Sequence, residues 1–151
     1  MSPTNDAKGF RFALLLAACQ ILSSCVATRQ DADDAPITIA LKNGGAAPLR
    51  CQLIFGHWVE RGLGEIAPGA AVQIELMRAA EDGGVYAMRP DGKKKMMVEN
   101  VICGRADNWQ PTLGQLDFTR LRQNPARTAE AHCAAPDDGD RVACAIDRIS
   151  E

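Results

Sequence analysis

Serine is nearly missing from the body of this chain. Among 151 residues the only serines are Ser2, Ser23, Ser24 and Ser150, so a Ser–His–Asp site has no nucleophile within the folded part. No C-x-x-C spacing occurs, which removes the usual dithiol arrangement of a thiol oxidoreductase. Gly62 and Gly64 lack the third glycine of a dinucleotide fingerprint and read as turns at a strand entry; neither a P-loop nor H-E-x-x-H is present. No apolar run is long enough to span a bilayer, which takes about 20 residues. The best stretch, Phe12 to Ser24, has 13 and is interrupted by Gln20. With a formal charge of only −2, the chain makes no field that would gather a polyanion, and nucleic acid is not an expected partner.

What is present is an ordinary globular composition, 46% hydrophobic and 24% charged, enough for a single core. It has no internal repeat and no low-complexity tract. Lys8 and Arg11 precede the apolar stretch, and the hydrophobicity then stops, which is the pattern of a secretory signal over residues 1–24. Leu22-Ser23-Ser24-Cys25 resembles the bacterial lipobox. That resemblance implies a diacylglyceryl group and an N-acyl chain on Cys25, a lasting membrane anchor. Val26 after it, in place of Asp, resembles an outer-membrane sorting signal, which puts the protein on the periplasmic face of the outer membrane or in the periplasm. Two alternatives stand beside this: Leu16-Ala17-Ala18-Cys19 offers a second tetrapeptide, and Cys25-Val26-Ala27 an ordinary cleavage site before Thr28. Residues 25–35, with almost no large apolar side chains, read as a flexible tether.

Four further cysteines, an even number in an exported chain, read as disulfides. Of the three possible connectivities, Cys51–Cys103 with Cys133–Cys144 is preferred, because a turn-rich decapeptide lies between the second pair.

Residues 36–151 are expected to form one mainly β domain. Pro36–Asn43 and Ala71–Met77 alternate with period two, as one-face-buried strands do. Leu49–Val59 is apolar on both faces and reads as a central strand. Pro90-Asp91-Gly92 is the strongest hairpin signal. Short strands spaced by turns, with a strand cysteine and a partner about fifty residues on, suggest an antiparallel immunoglobulin-like sandwich. A short C-terminal helix is expected from the Thr112/Gln115 capping-box spacing and Leu113, Leu116 and Leu121, stopped at Asn124-Pro125. Ala126–Cys133 reads as a further helical turn or two. Cys133–Ile149 reads as a disulfide-closed hairpin.

No catalytic residue and no cofactor are expected. His57 and His132 are the only imidazoles and read as structural; a metal reading would join them to Met88, Met96 or Met97 for Cu(I), but those methionines read as core fillers. Asp137-Asp138-Gly139-Asp140 lacks the late glutamate of a calcium loop. Glu60, Glu65, Glu75 and Glu99 are scattered carboxylates among which a glycosidase pair has no visible spacing. Lys93-Lys94-Lys95 form a basic patch that could meet an envelope protein or polymer, and Arg120, Arg122 and Arg127 a second. The function expected is therefore structural or protein-interacting, at the cell envelope, with exposed sheet edges or the Lys93–Lys95 loop as the contact surfaces. The alternatives are a periplasmic copper-binding protein and a small carbohydrate-active enzyme.

Overall fold

The computed structural model describes residues 34–56, 59–89, 91–125, 127–136 and 140–151. The signal and tether expectations, with Cys19 and Cys25, lie outside the described residues apart from Asp34 and Ala35, as do His57, Trp58, Pro90 and residues 137–139.

Alternation does most of the work. In β1 (Ala35–Asn43) Ile37, Ile39 and Leu41 are buried; in β4 (Ala71–Arg78) Ile74 and Leu76 are. The two pair antiparallel from Ala35↔Arg78 to Lys42↔Ala71, so both apolar rows face one side. Ala35 already belongs to β1 and Asp34 ion-pairs with Lys95. β2 (Leu49–Phe55) buries Leu49, Cys51, Leu53 and Phe55 and is flanked on both sides, by β3 (Val59–Ile66) and β6 (Lys95–Arg105). β5 (Val85–Met88) makes the expected hairpin with β6, where Arg89 N–H donates to the Lys94 carbonyl and Gly92 takes φ +66°.

The strands form one connected sheet in the order β3-β2-β6-β5-β4-β1-β8-β9, with β8 at Thr128–Ala134 and β9 at Ala143–Ser150; β7 (Gly114–Leu116) pairs with β6 off that path. β6 holds it together, because Lys95–Met97 pair with β5 while the rest of the strand pairs with β2 and β7. Three strands separate β6 from β8 in the ladder, yet the Sγ atoms of Cys103, Cys133 and Cys144 all lie within 4.8 Å of one another. The sheet therefore folds back on itself, and its inward faces meet around the sulfurs.

Both preferred disulfides are present, Cys51–Cys103 and Cys133–Cys144. Each joins register partners on adjacent antiparallel strands, with Cα atoms 4.2 and 4.1 Å apart. This differs from the expectation behind the immunoglobulin-like reading, in which the long-range disulfide crosses between two sheets.

Three further expectations are corrected. The sheet is not wholly antiparallel: β1 and β8 run parallel, from Thr38↔Thr128 to Asn43↔Cys133. Thr128–Ala134 is that strand and not a helical turn, since Ala129, Ala131 and Cys133 are buried on alternate positions, a tertiary pattern that overrides the helical preference of Ala and Glu. The helix α1 spans only Thr119–Gln123. Thr112 does not cap it. Its buried hydroxyl accepts from Arg105 N–H at 2.9 Å and lies 2.7 Å from the Asn108 carbonyl, closing the loop between β6 and β7.

α1 is fastened by arginines. Arg78 donates to the carbonyls of Leu121, Arg122 and Asn124, satisfying the helix's orphan C-terminal acceptors. Arg122 reaches the Glu99 carbonyl at 2.8 Å and Arg120 the Ile146 carbonyl. Two members of the second basic patch thus pin α1 to β6 and β9, above buried Phe118 and Leu121.

Where β7 meets the start of β9, backbone lies on backbone. Val142 N–H donates to the Thr112 carbonyl at 2.8 Å, and a Cβ on Gly114 would sit 1.7 Å from the Val142 oxygen. Only glycine fits that approach.

Candidate functional site: an open seam between two strand edges

β3 and β4 follow one another in the chain, joined by the turn 67–70, and would ordinarily pair as a hairpin. They do not. β3 pairs with β2 alone, and β4 pairs with β1 throughout but with β5 only at Met77 and Arg78. Among the described residues, no ladder joins β3 to β4. Two strand edges therefore face a V-shaped cleft of about 670 Å³, lined by Arg61 and Leu63 from β3, Gln73 and Glu75 from β4, Pro36 from β1 and Met88 from β5.

The narrow end is held by Asn43, which is fully buried. Its Nδ2 donates to the carbonyls of Ile66 at 2.8 Å and Ala47 at 2.9 Å, and its Oδ1 accepts from Gly45 N–H at 2.9 Å. Its backbone exchanges bonds with Gly69 and Ala70 of the turn. One side chain thus ties β1 to the end of β3 and satisfies every polar atom it buries. At the wide end Arg61 donates to the Met88 carbonyl at 3.3 Å and lies 5.7 Å from the Phe55 ring centroid, a modest cation–π contact.

A bulge decides which side chains of β3 face the cleft. Cys51 pairs with Gly64 but Gln52 pairs with Gly62, leaving Leu63 as the extra residue. Gly64 takes φ +84°, open to glycine and strained for other residues. The shift puts Leu63 and Arg61 on the same side as Ile66; a regular strand would have turned Gly62 and Glu60 there. The two glycines are inside a strand, and their reading as turns at a strand entry is corrected: a bulge and a turn carry the same residue signature.

Of the exposed large apolar side chains, Val59 (45% exposed) and Met88 (37%) lie on strands that border the cleft, and Met97 (50%) lies on β6. Met88 and Met97 are therefore not core fillers; Met96 packs partly against the core.

The remaining candidates are dispersed. Lys93 and Lys94 are exposed at the β5–β6 tip, where Asp91 accepts from Lys93 N–H at 3.0 Å. Lys95 is committed, bonded to Asp34 at 2.9 Å and 5.2 Å from the Tyr86 ring centroid, and the Asp34 carboxylate raises its pKa. Tyr86 donates to Asp82 at 2.7 Å, which lowers the Asp82 pKa and raises its own. His132 lies on the outer face of β8 with Nδ1 2.8 Å from Asp147, a residue that the β8–β9 bulge leaves without a register partner. Three strands of the ladder separate it from Met96 and Met97. Glu60, Glu65, Glu75 and Glu99 are all exposed, on β3, β4 and β6.

No family model matches the chain, and no curated protein does. Among solved structures, an NMR structure of a protein from Eubacterium rectale is similar over 77% of this chain and 90% of that one, at 11% identity and a TM-score of 0.42.

Proposed function

We propose that this chain is an exported cell-envelope protein, anchored by lipid on Cys25, whose role is structural or protein-interacting and whose contact surface is the β3–β4 seam. The observation that carries the reading is the pair of unpaired strand edges on either side of one cleft. An edge strand presents a row of free N–H and C=O groups, and an extended segment can add to it by main-chain pairing. Here such a segment would meet an edge on each side, with Leu63 and Met88 offering apolar contact and Arg61 and Glu75 offering charge of both signs. The occupant we assign is an extended strand of an envelope protein. A β-sandwich is the architecture that accounts for inward faces meeting around the sulfurs, although its neighbouring-strand disulfides depart from the immunoglobulin pattern. Two disulfides suit an oxidising compartment, which supports export.

Photo-crosslinking in the native envelope tests the seam. Probes placed singly at Gln73 on β4 and Gly62 on β3 should capture the same peptide of the same partner. Capture only from probes at Lys93 or Lys94, with both seam probes silent, would move the contact to the hairpin tip and refute the assignment. Anchoring is tested separately: the mature protein should carry acyl mass, and Cys25→Ser should release it from membranes.

A further inference from the structure

The seam makes no use of the sulfur cluster. We propose that the four interior cysteines form one exchange centre, in which reduction of Cys133–Cys144 by a dithiol is passed inward to Cys51–Cys103 and leaves a new Cys103–Cys133 bond.

Three observations carry it. Cys103 Sγ lies within 4.8 Å of both sulfurs of the other disulfide, while Cys51 Sγ is not in that group. Cys103 is therefore the near sulfur of its bond and Cys51 the far one, the arrangement in which an attacking thiolate meets Cys103 and Cys51 departs. Second, Cys51, Cys103 and Cys133 are fully buried whereas Cys144 is only partly so, so a reagent meets Cys144 first. Third, Cys144 lies on β9, the terminal strand of the ladder, which pairs in register with β8 alone; such strands open locally at lower free energy than central ones.

The steps balance as follows. A thiolate of the external dithiol attacks Cys144 Sγ, forming a mixed disulfide and releasing Cys133 as a thiolate. The second thiol of the reagent displaces Cys144, which takes up a proton; the reagent leaves as its own disulfide, and two electrons have entered the protein. The Cys133 thiolate attacks Cys103 Sγ, the Cys51–Cys103 bond breaks, and Cys51 leaves as a thiolate and is protonated. The product has one disulfide, Cys103–Cys133, joining β6 to β8 across the interior, with thiols at Cys51 and Cys144. A thiol–disulfide oxidoreductase bearing a dithiol is the class of partner that would drive it; dithiothreitol serves as the probe.

The full-length oxidised protein is treated with limiting dithiothreitol, alkylated at once, and mapped without further reduction. At the two-electron stage a Cys103–Cys133 peptide should appear at the expense of Cys51–Cys103, with label on Cys51 and Cys144. Only native pairs at that stage, or Cys51–Cys103 opening first, would overturn the proposal. Cys144→Ser gives a second reading without any reductant: the alkylated position should shift from Cys133 to Cys51. Label remaining on Cys133 beside an intact Cys51–Cys103 bond would also overturn it.

Discussion

Two places in this molecule bring strands together that the ladder does not pair, and they are built in opposite ways. At β7 and β9 the backbones touch, sealed by the Val142 N–H to Thr112 carbonyl bond and by the missing side chain of Gly114. At β3 and β4 the chain makes a four-residue turn, pins its narrow end through Asn43, and then leaves the edges apart. Steric intolerance marks the first, and unused hydrogen-bonding capacity the second. Closure of the sheet thus depends on one glycine, and access to its edges depends on one asparagine and one bulge.

The largest effect should come from the closed side. Gly114→Ala places a carbon against the Val142 oxygen, and overpacking of this kind should destabilise the oxidised protein by about 3 kcal/mol or more, read from the denaturant midpoint. Asn43→Ala should follow, at about 2–3 kcal/mol, because the Ile66 and Ala47 carbonyls and the Gly45 N–H lose their partner together; hydrogen exchange should rise in β3 and spare β7. Gly64→Ala forces a side chain into φ +84° and should lose about 1–2 kcal/mol. Arg61→Ala, which removes only a long bond to Met88 and a loose contact with Phe55, should cost less than about 1 kcal/mol while widening the cleft. If Arg61→Ala proved as damaging as Gly114→Ala, the two seams would not differ as described.

The smallest effect is one of pH. Thr119, through its hydroxyl and then its N–H, lowers the Asp117 pKa at the start of α1, and Arg105 lowers that of Asp107. A carboxylate whose folded pKa is depressed contributes stability above its unfolded value, and that contribution disappears as pH falls through the folded one. Stability should therefore decline on the acid side of about pH 4, and Asp117→Asn should make the decline shallower.

Much of the fold was legible in the sequence. Alternation in Pro36–Asn43 and Ala71–Met77 marked β1 and β4, Asp91-Gly92 marked the β5–β6 turn, and the decapeptide between Cys133 and Cys144 pointed to the right disulfide pairing. β8 was hidden because Thr-Ala-Glu-Ala-His alternates residues too small to look apolar. β3 was hidden because a bulge at Leu63 breaks the period. Exposed sheet edges were expected as a contact surface, but which edges was not legible: the seam arises from two strands failing to pair, and no residue type signals a missing partner. Asn43 looked like one more polar residue before Gly44-Gly45, since nothing local says that position 43 ends up with no solvent contact.

The parallel pairing of β1 with β8 has a mechanical side. β1 is gripped by eight register pairs with β4 and six with β8, and a pull on its Ala35 end runs along the strand axis. Tension entering there loads those bonds in shear, all at once, where a terminal hairpin strand pulled sideways would unzip bond by bond. A protein tugged from the residues before Ala35 would thus resist along both ladders of β1 together.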